Sequence, residues 1–354
     1  MKALNTAAGQ PGAQEKGIID VSSGICPIGP SKKVKAAIRK AIKGIQHRPD
    51  AAITRLEKLF ASKFGLAHDR ILLANSVREL FCLVIRALGP KRVLIVGPAL
   101  GFYEDAASRS GAEICHFAAR EGSEFAIEAD RLVGDFDGVE LMFIANPNRV
   151  TGRLIDMAVL SRIVEGAVRR KLRVVIDESL MEFTGQDGFV RAAAGEENVI
   201  VIRTTANFFG LPGLELAYAV SGVSAIRQLA KKNDCSQNIL AVEAARTALK
   251  DETYRKLVLR FIAEEKTLLS NGLEKAGGVT CFGSDSNVYL VKLGRREEKM
   301  PDSFLRAGFL IRDCSDIAGL GSSFLRLSVM GHDKNLKLLR LLKTLLPPTG
   351  PVAG

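Results

Sequence analysis

Short apolar, β-branched runs alternate with segments of helical period along the first two thirds of the chain, and this alternation limits the fold more than any other feature. Strands are predicted at residues 92–96, 141–145, 173–177, 199–203 and 216–220, with helices at 77–88, 103–110, 157–170 and 225–232. Strands that alternate with helices build βαβ units and a mainly parallel sheet. Such a sheet collects its chemistry at the carboxyl ends of its strands. The informative residues cluster at those ends: Gly97-Pro98, Asn146-Pro147-Asn148, Asp177-Glu178, and Thr204 to Asn207. Beyond about residue 235 the pattern changes. A charged, helix-rich stretch at 236–275 precedes short strands at 287–293 and 324–329 and a helix at 334–346. Two helices are predicted near the start, at 31–46 and 51–64, the first capped by Ser31 ahead of an apolar stripe of Val34, Ile38 and Ile42. The expected organisation is an N-terminal segment (1–45) packed on a smaller domain, a large α/β domain (46–235), and the smaller α+β domain (236–354), which opens on a long linking helix.

Composition excludes several classes. At roughly 150 residues per domain, 354 residues imply about two domains. A hydrophobic fraction of 47% is too high for disorder. No apolar run approaches the roughly 18 residues that span a bilayer, and residues 1–16 lack a signal-peptide core, so a soluble cytoplasmic protein without membrane contact is expected. The six cysteines lie far apart with no CxxC pair, and the four histidines form no HExxH. Neither a disulfide scaffold nor a metal site is expected. The net charge of +11 is spread over short clusters, and with no Trp and 6% aromatics there is little equipment for stacking bases. A solvated basic surface is expected rather than a nucleic-acid partner. Gly319-Leu320-Gly321 is too short and too late for a nucleotide fingerprint, the chain has no Gly-x-Ser-x-Gly elbow, and its last residues, 347–354, form a Pro/Gly tail.

Taken together, the strand-end motifs resemble the pyridoxal phosphate (PLP) aminotransferases, in particular histidinol-phosphate aminotransferase and threonine-phosphate decarboxylase. The resemblance runs from about Gly24 to Leu346. Cys26-Pro27-Ile28-Gly29-Pro30-Ser31 is similar to the Asn-Pro-Tyr/Leu-Gly-Pro-Ser entry of that group, and Pro49-Asp50 to its YPD. Leu73 to Glu79 resembles the GNGSDE turn, Pro98 to Tyr103 resembles P-T-F-x-x-Y, and Asn146 to Gly152 resembles NPNNPTG. Asp177-Glu178 resembles the DEAF/Y motif, and RTTANFFGLPGLELAY (203–218) the lysine motif RTFSKAFGLAGLRLGY. Residues 310–315 and 324–326 resemble the C-terminal domain of the group. The resemblance implies a PLP-type fold and a homodimer with its pocket at the interface.

The resemblance also assigns roles. It implies that Asp177 holds the pyridine nitrogen protonated, that Tyr103 stacks on the cofactor ring, and that Asn75, Ser76 and Val77 form the phosphate turn. It implies substrate contacts from Arg326, Asn148, Arg149 and Arg48. Each has a plainer alternative: a buried strand-end carboxylate for Asp177, a core aromatic for Tyr103, a turn residue for Asn75, a surface ion pair for Arg326. Arg149 reads as either a new anion clamp or a solvated replacement in a relaxed loop. Departures from the pattern are specific. Asn207 occupies the Schiff-base lysine position, and an amide forms no imine. Ala206 replaces the phosphate-binding Ser, Glu215 the phosphate-clamping Arg, and Arg149 the Asn that bonds the phenolic oxygen. Arg48 stands at the partner-subunit Tyr position, where it would reach the partner's pocket, and Leu180 at that of another Tyr.

Two functions follow. One is an aminotransferase-like pseudoenzyme with a degenerate PLP site that binds a small anionic or amino-acid-like ligand without Schiff-base chemistry. It would hold no covalent cofactor. The alternative is a lysine-independent PLP or PMP (pyridoxamine phosphate) enzyme acting on an amino acid or a phosphorylated amine. Two geometric expectations accompany them: Arg326 lines a cleft with Asp177 and Asn207, and Glu215 sits within salt-bridge reach of Arg48, Arg78 or Arg149.

Overall fold

The computed structural model describes residues 17–294 and 300–346. The start at 1–16 and the tail at 347–354 lie outside the described residues. The central runs form strands because both of their faces are buried. Leu94, Val96, Met142, Ile144, Val174 and Ile176 face one hydrophobic cluster, whereas Val93, Ile95, Leu141, Phe143, Val175 and Ile202 face another. Seven strands make this sheet, in the order Ile71–Ala74, Ala217–Val220, Val199–Thr204, Arg173–Asp177, Leu141–Ala145, Arg92–Gly97 and Glu113–Ala118. Ala217–Val220 runs antiparallel to both neighbours, and all other pairings are parallel. The parallel strands therefore end at one edge.

A second, antiparallel sheet has the order Arg312–Asp313, Phe324–Ser328, Val288–Leu293 and Val279–Cys281. The helices Glu252–Glu274 and His332–Leu345 pack together beside it. The beginning of the chain joins this part of the molecule. Ile19–Asp20 pairs in parallel with Phe309–Leu310. Ser328 N–H donates to Val21 O at 2.8 Å, and Gly24 N–H donates to Ser328 Oγ at 2.8 Å.

Helix Val77–Leu88 begins where the sequence predicts, with Ser76 Oγ accepting from Glu79 N–H at 3.1 Å and Gly89 closing it in the left-handed conformation. Ser76→Ala should lower stability by about 1 kcal/mol, measured as a shift of the urea midpoint. Ser31 also caps its helix, through Val34 N–H at 3.2 Å. That helix is Lys32–Ala41, shorter than predicted, and a 3-10 turn follows. The expected apolar stripe stops short with it: Val34 is buried, but Ile42 is 51% exposed. Among the described residues no helix is long and apolar enough to cross a membrane.

Candidate functional site

The carboxyl ends of three parallel strands, Arg92–Gly97, Leu141–Ala145 and Val199–Thr204, and the start of helix Val77–Leu88 enclose a cleft of about 200 Å³. Leu100 and Phe102 supply its apolar wall. Arg78, Arg149 and Glu215 supply charge, and Thr204, Ala206, Asn207 and Pro212 close the far side. None of these residues is a lysine.

Asp177 ends its strand fully buried. Its Oδ1 accepts from Ser179 N–H at 2.8 Å, and its Oδ2 accepts from Tyr103 Oη at 2.7 Å and from Arg149 Nη1 at 3.2 Å. The Arg149 guanidinium also lies 5.1 Å from the centre of the Phe102 ring, a cation–π distance. Burial opposes the charge on Arg149, but Asp177 and the Tyr103 oxygen raise its pKa on balance. Burial, with Asp177 beside it, holds the Tyr103 hydroxyl well above its usual range, so Tyr103 donates as a neutral phenol.

Glu215 faces the helix start. Its Oε1 accepts from Val77 N–H at 3.0 Å and from Thr204 Oγ1 at 3.3 Å. A helix N-terminus carries free N–H groups and a positive dipole end, so it stabilises a carboxylate as it would any anion. The expected arginine partner is therefore corrected: among the described residues Glu215 forms no ion pair. Arg78 turns instead to Asp105 at 3.8 Å, and Arg149 to Asp177. The Val77 N–H and the Thr204 hydroxyl hold the carboxylate in place of an arginine.

The other expected residues fall in distinct places. Tyr103 is 2% exposed, its ring among Phe81, Phe102 and Phe143, and it reaches Asp177 from beneath rather than forming the cleft wall. Leu100 and Phe102 form that wall; their apolar character at a strand exit was the available signal. Asn75 serves the turn: its backbone and side-chain N–H groups both donate to Glu79 Oε2. Asn148 is likewise committed, with Oδ1 accepting from Val150 and Thr151 N–H and Nδ2 donating to Pro98 O. Arg48 is exposed ahead of helix Asp50–Phe64.

Arg326 is 5% exposed. Its Nη1 donates to Ser22 O at 2.7 Å, and its Nη2 lies against Gly24, where a Cβ would come within 2.6 Å of it. It is not among the walls of the cleft that holds Asn207, which corrects the expected common cleft. The N-terminal segment folds over it. Burial, with the nearby charge of Arg149, lowers its pKa to about 10.

An aldehyde cofactor on this fold needs an amine for the imine, a free carboxylate for the pyridinium and open donors for the phosphate. Here Asn207 faces the cleft, Asp177 is already bound by Arg149 and Tyr103, and Val77 N–H is bound by Glu215. The cleft as built does not fit the cofactor.

A mainly parallel sheet, a second antiparallel sheet reached by a long helix, and a charged cleft at the strand ends define the class of PLP-enzyme folds. The family model for aminotransferase class I and II matches residues 16–342, and the chain belongs to that family. It is 26% identical to the threonine-phosphate decarboxylase of Salmonella typhimurium over 98% of this chain and 96% of that one. It is 28% identical to histidinol-phosphate aminotransferase 2 of Archaeoglobus fulgidus over 93% of each. The crystal structure of histidinol-phosphate aminotransferase from Clostridium acetobutylicum superposes with a TM-score of 0.87 at 30% identity, covering 93% of this chain and 99% of that one.

Proposed function

We propose that this chain is an aminotransferase-like protein with a degenerate cofactor site, which binds a small anionic or amino-acid-like ligand without Schiff-base chemistry. The observation that carries the reading is a pair of buried guanidiniums. Arg149 and Arg326 lie close enough for the charge of one to depress the pKa of the other, and the Nε of each is buried with no partner. Buried donors are normally satisfied, and whereas Asp177 neutralises Arg149, among the described residues Arg326 forms no ion pair, so its charge calls for an anion. A ligand carboxylate meets both demands, since guanidinium binds carboxylate through parallel N–H groups. Asn207 at the position where the family motif has lysine supports the non-covalent part. In this reading the protein acts as a soluble cytoplasmic homodimer, and Arg48 of one subunit reaches towards the cleft of the other.

The test has two parts. The purified protein, incubated with PLP and reduced with borohydride, should show no adduct by mass spectrometry. L-Threonine, O-phosphothreonine and succinate, titrated separately, should include at least one that raises the melting temperature. Arg326→Gln should weaken that ligand by about tenfold or more. A reducible adduct near Asp177, or no stabilisation by any of the three, refutes the reading.

A further inference from the structure

We infer that Arg149 and Glu215 are this chain's own replacements for the two charged ends of the cofactor. They hold the pyridinium and phosphate positions as side chains, so that the pocket assembles without any cofactor. This rests on the reading of a degenerate site given above.

Both positions follow from partners. A pyridinium cation is held by a buried carboxylate and lies flat against an apolar side chain. The Arg149 guanidinium is also a flat cation. It lies 3.2 Å from Asp177 Oδ2 and 5.1 Å from the centre of the Phe102 ring. A phosphate monoester is held by backbone N–H groups at a helix start and by neighbouring hydroxyls. The Glu215 carboxylate is an anion held by Val77 N–H at 3.0 Å and by Thr204 Oγ1 at 3.3 Å. Cation meets anion site and anion meets cation site, and both side chains line the same cleft. A decayed site would leave Asp177 and the helix start bare, and the two substitutions together satisfy both.

The arrangement makes the two residues interdependent. Arg149→Asn alone takes the competing cation off Asp177, which keeps only the neutral Tyr103 hydroxyl and Ser179 N–H, but leaves a carboxylate in the path of the phosphate. Glu215→Arg alone opens the helix start but leaves Arg149 on Asp177. Only the double variant presents both ends, so the gain in binding is not the sum of the single gains.

PMP is the suitable probe because it carries both charged ends but no aldehyde. Its binding is blind to imine chemistry, which the borohydride experiment with PLP reports separately. The full chain, dialysed, is titrated with PMP by calorimetry and by thermal shift. The unmodified protein and each single variant should show no saturable binding. R149N/E215R alone should bind saturably, at least about a hundredfold tighter than the limit set for the unmodified protein, since two removed charge conflicts of about tenfold each set the floor. PMP binding by the unmodified protein, or a folded double variant that still fails to bind, overturns the inference. Should the double variant fail to fold, Glu215→Ser supplies the readout, with inorganic phosphate as probe. Phosphate should raise the melting temperature of Glu215→Ser and leave that of the unmodified protein unchanged; no rise in the variant overturns the inference.

Discussion

Glu178→Ala should cost about 3–5 kcal/mol of folding stability, the range for breaking a buried ion pair from one side. Glu178 and Arg203 lie 2.7 Å apart, their side chains 0% and 3% exposed. Glu178 Oε1 also accepts from Phe189 N–H at 2.6 Å, and Glu182 approaches Arg203 at 3.6 Å. Removing the Glu178 carboxylate strips a guanidinium of its main counterion inside the protein and orphans a backbone donor. Glu182 does not compensate, because it already serves Lys63 and Arg255 as well. Urea titration followed by far-UV circular dichroism measures the loss; a change below about 1 kcal/mol, the level of an exposed pair, would show that the network is solvated.

The second large effect is expected at Gly210. Its φ of +64° is left-handed, and a Cβ there would come within 2.7 Å of Gly29 Cα and 2.8 Å of Gly29 C. Both obstacles are backbone, so no rotamer change relieves them. The left-handed conformation costs about 1–2 kcal/mol for a residue with a Cβ, and overpacking adds about 1–3. Gly210→Ala should thus lose about 2–5 kcal/mol in all. The contact also positions the site, because Cys26 N–H donates to Asn207 O at 2.9 Å across the same seam. The variant should therefore lose ligand affinity along with stability. Full stability in Gly210→Ala would mean that the entry turn at 26–30 does not lock the loop of Asn207.

The central strands were legible in the sequence because burial on both faces writes continuous apolar runs. The outer strands were not. Ile71–Ala74 has only four residues, and in the edge strand Glu113–Ala118 only Phe117 is buried, with Glu113, His116 and Ala118 exposed, so no continuous apolar run marks it. Helix 31–46 was read too long because Ile42 and Ile45 continue the apolar spacing after the helix has ended. At the site, the strand-end motifs located Asp177, Arg149 and Glu215. The partner of Glu215 was missed for a physical reason: a backbone N–H has no letter in the sequence, so a search for countercharges finds arginines and overlooks helix ends. The cover over Arg326 was hidden similarly, since Ser22 and Gly24 touch it through a carbonyl and a missing Cβ.

The docking of the first strand onto the last sheet sets an order of events during synthesis. Ile19 is translated early and Phe309 late, and at roughly 5–20 residues per second the interval is on the order of tens of seconds. During that time the large sheet has all its strands, 71–220, and is able to close. The segment around Val21 to Gly24 must wait, because Phe309–Leu310 and Ser328, its backbone partners, do not yet exist. Arg326 is covered only when that segment arrives. The ribosome thus delivers a molecule whose sheet is finished while Arg326 is still in water, and the burial that lowers the pKa of this arginine is among the last steps of folding.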